Sequence, residues 1–157
     1  TFNLAGICRS YVRSPNERLR TAYMAMCDAL DLGSNVFGMT ALTAAYSTAE
    51  DWLDELLGYL EANRDYAVDY IRKNIPQIKV CPPDGTYLLW LDCSALGLPE
   101  EDLNPFVLDQ AKVRMSAGYR FGAQCGSFMR LNIGCPRALL TEGLERIRAA
   151  VAVKVQE

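Results

Sequence analysis

Apolar residues recur at helical spacing through the first part of the chain. Asn16 is a favoured N-cap residue, and the apolar positions that follow it recur every three or four residues until Gly33, which predicts a first helix. A second helix, rich in small residues, is predicted to begin at Ser34 or Asn35. The residues before Asn16 resemble a short strand that ends at Pro15.

A longer apolar stripe follows and predicts the longest helix of the chain. Thr48 begins a sequence that resembles a capping box, and the stripe covers residues 50–74 until Pro76 ends it. A helix over this range extends about 37 Å at the usual rise per residue. A helix of that length in so short a chain suggests a connection between two bodies.

The pattern then changes to short apolar runs separated by turn residues. These runs predict strands at residues 77–81, 86–93, 113–116 and 128–133, with helices over 99–111 and 137–155. The order predicts a compact α/β body, an α+β small domain with a small antiparallel or mixed sheet. We therefore predict two domains, residues 1–49 and 50–157, and expect the sheet partners of the first to lie upstream of the chain.

Composition narrows the possible partners of the protein. Half of the residues are apolar and the formal charge is −3, with no basic block of the kind that follows a nucleic-acid backbone. No apolar run is long enough to cross a bilayer, and the first residues do not resemble a signal peptide. We expect a cytoplasmic protein that binds neither nucleic acid nor a membrane.

The chain has no histidine and six scattered cysteines, which excludes several kinds of site. Histidine-based triads and His/Cys zinc sites cannot be built from these residues, and no metal site is predicted. The even cysteine count allows a disulfide framework, but the size of the chain favours free and mostly buried thiols. A cysteine nucleophile is disfavoured because no imidazole is available to activate it.

The sequence FMRLNIGCPR, residues 128–137, places an arginine in an apolar strand. Alternation along a strand puts Arg130 on the same face as Asn132, whereas Met129 and Leu131 face the core. The arginine is either a solvated edge residue or a planar donor fork for a carboxylate or phosphate.

Three stretches together resemble fold-type I pyridoxal-phosphate enzymes of the aminotransferase class I/II superfamily. They are TFNLAGI at residues 1–7, PDGTYLLWLD at 83–92, and RLNIGCPR at 130–137 with the helix ALLTEGLERI that follows it. Their order and spacing fit the cystathionine β-lyase-like (MalY/PatB-type) C–S lyase branch along the whole chain. The resemblance implies the C-terminal small domain of this fold, preceded by the last strand and helices of the large cofactor-binding domain.

The resemblance also implies what the chain lacks. The lysine that anchors pyridoxal phosphate in this superfamily immediately precedes the position of Thr1. We therefore expect the chain alone to hold no covalent cofactor and to be inactive, and the full-length parent to be a homodimer that acts on a small amino-acid substrate. Apolar surfaces left uncovered on the fragment suggest some self-association.

Site residues follow from the same resemblance. It implies that Arg130 binds the substrate α-carboxylate. Asn132, on the same face of the strand, either supports Arg130 or makes a purely structural hydrogen bond. Aminotransferases carry a phosphate-binding arginine where this chain has Cys8, and Arg9, one step out of register, is a secondary candidate for cofactor binding. The difference favours a lyase. The alternatives are an aminotransferase fragment and a stand-alone, non-catalytic α/β module for binding or assembly.

Overall fold

The computed structural model describes residues 2, 4–7, 10–33 and 35–156. The chain divides into two compact units, Thr1–Leu56 and Leu57–Glu157, and the boundary between them falls inside its longest helix. The boundary lies a few residues beyond the domain boundary that the sequence suggests. Assigning the units to a large and a small domain stays a prediction.

The first unit is helical. It contains a 3-10 turn at Ala5–Ile7, helix α1 at Glu17–Ala29, helix α2 at Val36–Thr48 and the beginning of helix α3. Asn16 accepts a hydrogen bond from the Leu19 amide at 3.1 Å and is the N-cap of α1, as predicted.

The start of α2 and the start of α3 differ in how well the sequence predicted them. Asn35 is the N-cap of α2, which confirms one of the two predicted positions. The capping box at Thr48 is wrong, because α2 continues to Thr48 and its hydroxyl donates to the Ala44 carbonyl at 2.9 Å. Threonine inside a helix commonly makes this backward bond, so its hydroxyl is not free to cap α3.

The strand predicted near the N-terminus is not present among the described residues of the first unit. Those residues form the turn at Ala5–Ile7 and a segment at residues 10–14 without regular secondary structure, and residues 8 and 9 of the predicted strand lie outside the described range. A strand is defined by its hydrogen-bonded ladder, and the described part of this unit contains no second strand to pair with.

Helix α3 covers Glu50–Asn74, as the apolar stripe predicted. Its first turn carries Glu50 and Asp51 and its last turn carries Arg72 and Lys73, so both ends complement the helix dipole. No helix in the described ranges has the length and apolarity needed to cross a membrane.

The second unit is built on a four-stranded, fully antiparallel sheet. Its strands are β1 (Lys79–Cys81), β2 (Leu88–Asp92), β3 (Ser116–Ala117) and β4 (Phe128–Asn132), in the spatial order β1-β2-β4-β3. The first two form the predicted hairpin. Strand β4 is therefore flanked on both sides, and its residues have fixed neighbours.

One face of the sheet supplies the core. Met129 and Leu131 of β4 are buried there with Leu89 and Leu91 of β2, which confirms the alternation that the sequence predicted. Helix α5, Arg137–Lys154, buries one stripe in the same core. Residues with even numbers on β2 and β4 are thus left on the opposite face.

The connection between β2 and β3 contains a break that the sequence did not predict. Helix α4 covers only Glu100–Pro105 and continues as a π-helical turn at Phe106–Gln110. Pro105 has no backbone N–H and its ring crowds the preceding turn, which explains why the α-helical hydrogen-bond pattern changes there.

Candidate functional site

Arg130 lies at the centre of the sheet face that is turned away from the core. It is on β4, directly opposite Trp90 of β2 on one side and Ser116 of β3 on the other. A residue in this position cannot slip in register without moving the whole core face into solvent. The sheet therefore fixes the backbone position from which the Arg130 side chain extends.

The guanidinium of Arg130 is held in a defined orientation. Its Nη2 donates to the Ser116 hydroxyl at 3.2 Å, and its central carbon lies 4.6 Å from the centroid of the Phe121 ring. The Phe121 ring meets Trp90 edge to face at 5.5 Å between centroids, and Trp90 stacks on Phe128 at 5.6 Å. Contact with an aromatic face fixes the orientation of the planar guanidinium and leaves the N–H donors at its edge available for a ligand.

Arg130 has no acidic partner within the described part of the chain. Its side chain is half-buried, and it makes no ion pair with any carboxylate of the described residues. A partly buried guanidinium normally pairs with an acid, and leaving it unpaired costs free energy. This arrangement suits a site that receives an anion from outside.

The Arg130 side chain lines a cleft of about 290 Å³. Polar groups line the cleft from α4, the segment before β3, β3 itself, the turn after it and β4, namely Asn104, Arg114, Ser116, Tyr119, Arg120, Arg130 and Asn132. No aspartate or glutamate is among its described lining residues. The cleft is therefore a positively charged, donor-rich site, which fits a carboxylate or a phosphate.

A glycine shapes the wall of this cleft. A Cβ on Gly118 would lie 2.0 Å from the Cys125 carbonyl oxygen and 2.6 Å from that of Phe128. Only glycine allows the chain to pass so close to β4. Arg120 and Phe121 follow in the same 3-10 turn, Gly118–Phe121. The close approach of Gly118 therefore also fixes the backbone positions from which their side chains extend.

Asn132 lines the cleft, but the oxygen of its side-chain amide makes a hydrogen bond within the backbone turn that follows β4. Its Oδ1 accepts the Gly134 amide at 2.8 Å, which forms a tight turn after β4. No hydrogen bond joins it to Arg130 among the described side chains, so it does not brace the arginine directly.

The secondary cofactor candidate Arg9 and its neighbour Cys8 lie outside the described residues. Their predicted relation to a cofactor phosphate therefore stays a prediction.

A buried asparagine fixes the segment that follows β4. Asn63 of α3 is fully buried, and its Nδ2 donates to the carbonyls of Ile133 and Cys135, both at 2.9 Å. Its Oδ1 accepts from Arg137 Nε at 2.7 Å. Asn63 thus connects α3 to the segment that follows β4 through three hydrogen bonds.

Arg137 completes this connection. Its amide donates to the Tyr59 hydroxyl at 2.7 Å, and its guanidinium lies 4.4 Å from the Tyr66 ring centroid. Asn63 was not predicted from the sequence, although it occupies the apolar stripe of α3 at helical spacing from Leu60 and Ala67. A polar residue on such a stripe is the signal that could have identified it.

The five cysteines that the structure describes are not arranged for catalysis. Cys27, Cys81, Cys93, Cys125 and Cys135 are all free thiols, as expected, but only Cys93 is buried, so the prediction of mostly buried thiols is wrong. Burial raises the pKa of the Cys93 thiol to about 12 and also raises the pKa of Cys135. Both therefore remain protonated and unreactive near neutral pH. No group of potential metal ligands forms among the described side chains.

Comparison with known proteins places the chain. It is 40% identical over 153 residues to cystathionine beta-lyase PatB of Bacillus subtilis, matching 97% of this chain and 40% of the relative. It is 34% identical over 153 residues to protein MalY of Escherichia coli, matching 96% of this chain and 39% of the relative. No family model matches the chain.

The fold gives the same result. The pyridoxal-phosphate-containing crystal structure of cystalysin from Treponema denticola superposes with a TM-score of 0.91 at 29% identity, covering 97% of this chain and 39% of that one. The chain spans about two fifths of the length of the curated relatives it matches. It belongs to the cystathionine β-lyase-like (MalY/PatB-type) branch of the fold-type I pyridoxal-phosphate enzymes, and it corresponds to the C-terminal portion of such an enzyme.

Proposed function

We propose that the full-length protein is a pyridoxal-phosphate-dependent C–S β-lyase of sulfur amino acids, and that this chain supplies the clamp for the substrate α-carboxylate. The observation that carries the proposal is the state of Arg130. It is half-buried, held by Ser116 and Phe121, and without an acidic partner among the described residues. An α-carboxylate would supply that partner through two parallel N–H···O bonds.

The cleft fits the substrate better than it fits the cofactor. Covalent attachment of pyridoxal phosphate needs an amine, and no lysine is among the described residues that line the cleft. The donors that are present suit the carboxylate chemistry of an amino acid. The share of the reaction that falls to this unit is therefore binding and orientation.

In the proposed reaction a thioether amino acid and one water give a thiol, pyruvate and ammonium. The Cα proton is removed, the Cβ–S bond breaks with its electron pair leaving on sulfur, and hydrolysis releases the remaining three carbons and the nitrogen. Pyridoxal phosphate, when bound, supplies the electron sink for loss of the Cα proton.

Arg130 contributes by fixing the orientation of the substrate at Cα. A bidentate grip fixes the position and plane of the carboxylate, and together with a hold on the amino group it limits rotation at Cα, so the scissile C–H bond is presented in one direction. The ring of Phe121, which packs edge to face against Trp90, holds the guanidinium in place when the carboxylate binds. Correct placement of this kind is worth several kcal/mol of the barrier, on the order of 100-fold in rate or more.

The remaining expectations about the parent enzyme belong to the same proposal. Residues 1–49 would belong to the large cofactor-binding domain and residues 50–157 to the small domain. The parent would be a cytoplasmic homodimer that takes a small amino-acid substrate.

The test is the product balance of the full-length enzyme loaded with pyridoxal phosphate. With a thioether amino acid as the sole substrate, we expect thiol and pyruvate in equal amounts without any added 2-oxo acid. Consumption of a 2-oxo acid with no release of thiol would identify an aminotransferase instead. No reaction of either kind would favour a binding or assembly module.

A further inference from the structure

The cleft beside Arg130 carries more positive charge than one α-carboxylate requires. Arg114 and Arg120 also line it, so three guanidiniums share about 290 Å³ with no acidic side chain in the described lining. The chain as a whole has a net charge of −3, so the excess is local. Like charges gathered in a concave site repel one another and raise the local concentration of anions.

The two outer arginines are as unpaired as the inner one. Neither Arg114 nor Arg120 forms an ion pair or a side-chain hydrogen bond with another described residue. Other arginines of this unit behave differently, since Arg64, Arg146 and Arg148 each pair with an acid one to four residues away. Arg72 of α3 also forms no ion pair with a described residue, so what distinguishes the cleft is that three unpaired arginines line one concave site.

The fold places Arg114 and Arg120 on either side of β3. Arg114 lies two residues before Ser116, which faces Arg130 across the sheet, and Arg120 follows in the turn that Gly118 holds against β4. Both side chains are exposed, whereas Arg130 is half-buried. The cleft thus has one fixed inner arginine and two outer arginines in contact with solvent.

We infer that Arg114 and Arg120 are specificity-determining residues that select substrates with a second carboxylate at the far end of the sulfur substituent. This inference rests on the proposed function, in which Arg130 takes the α-carboxylate. Once that carboxylate neutralises the inner arginine, the two outer ones remain free for another anionic group of the same molecule. Planar guanidinium forks match a carboxylate in geometry as well as in charge.

The experiment compares two substrates of nearly equal size on the full-length enzyme loaded with pyridoxal phosphate. S-(2-carboxyethyl)cysteine carries the second carboxylate, and S-(2-carbamoylethyl)cysteine carries a neutral amide in its place. The measured quantity is the ratio of their kcat/KM values from pyruvate release. We expect the wild-type enzyme to prefer the acid, with the preference falling as salt is added.

The variants are Arg114→Gln, Arg120→Gln and the matched control Arg72→Gln. Arg72 is an exposed arginine of α3 that makes no ion pair with a described residue and does not line the cleft. Each cleft variant is expected to lower the acid-to-amide ratio about fivefold, as is usual for one exposed charge contact, mainly through the KM of the acid. The control should leave the ratio unchanged.

The outcomes separate this inference from the proposed function. Turnover of both substrates with a ratio that neither cleft variant changes would overturn the inference and leave the lyase proposal intact. Failure to release pyruvate from either substrate would count against the lyase proposal. In that case the ratio of the two dissociation constants, measured by calorimetry on the same variants, decides the inference by the same criterion.

Discussion

The two units of the chain differ most in what they bury. In the second unit, strands and helices enclose a continuous core that includes Leu89, Leu91 and Met129. In the first unit, the buried residues among those described are only Gly38 and Ala45, and large apolar side chains such as Leu19 and Phe37 are exposed. Similar apolar content can therefore give a self-contained body in one place and an uncovered surface in another.

The difference has a physical reason. Two helices and part of a third present apolar stripes that must be covered by another layer to be stable. The sheet of the second unit supplies that layer for α5, whereas the described residues of the first unit contain no sheet. Exposed surfaces of this kind promote association, and we expect the chain to self-associate through its first unit.

The largest expected effect is the difference in stability cost when a leucine is replaced by alanine in each of the two units. Leu89→Ala removes a fully buried side chain and is expected to lower the free energy of unfolding by about 2–5 kcal/mol. Leu19→Ala removes a side chain that is 62% exposed and should change it by less than about 0.5 kcal/mol. Chemical denaturation of the chain measures both values.

Repeating the Leu19→Ala measurement in the full-length protein sharpens the comparison. A cost that rises well above its value in the chain would show that further protein covers the first unit. Equal costs for the two leucines in the chain would contradict the assignment of the core.

The buried asparagine gives the next largest effect. Asn63→Ala leaves the carbonyls of Ile133 and Cys135 and the Arg137 guanidinium without their partner, and it should destabilise the second unit by about 1–3 kcal/mol. The matched control is Asn74→Ala, because Asn74 is exposed and donates to one local carbonyl. Its cost should be within about 0.5 kcal/mol, and similar costs for the two would refute the bridging role of Asn63.

A third effect, which accumulates gradually with pH, concerns a buried thiol. Folding raises the pKa of Cys93 to about 12, so the stability that its protonated form provides is complete below the unfolded pKa, near 9. That contribution is lost at about 1.4 kcal/mol per pH unit as the pH rises from there toward 12. The stability difference between wild type and Cys93→Ala should therefore decrease over this range.

Thiol labelling gives an independent check of the same burial. At pH 8, Cys27 of the first unit is partly exposed and should be modified before Cys93, as read by peptide mass spectrometry. Modification of Cys93 at the same rate would contradict its burial.

What the sequence could predict follows the distinction between local and non-local information. The bounds of α3 and the Asn16 cap were predictable because periodicity and capping are local signals. The core face of β4 was predictable by alternation alone. The opening strand is not found among the described residues, because strand formation depends on a partner that local pattern does not reveal.

The site was predictable only in part, for the same reason. Arg130 stood out as a charge within an apolar strand, and the family resemblance gave it a role. The contribution of Arg114 and Arg120 depends on β3 pairing beside β4, which no spacing along the chain indicates. Thr48 was misassigned since the end of one helix and the start of the next use the same residue types.

The central claim is that the second unit holds the substrate by its α-carboxylate through Arg130. The most direct measurement is kcat/KM of the full-length enzyme for a thioether amino acid, in the Arg130→Ala variant and in an Arg72→Ala control. We predict a loss of about a hundredfold or more for Arg130→Ala, chiefly because productive substrate binding is lost, and no change for the control. An unchanged kcat/KM in Arg130→Ala would show that another group holds the carboxylate.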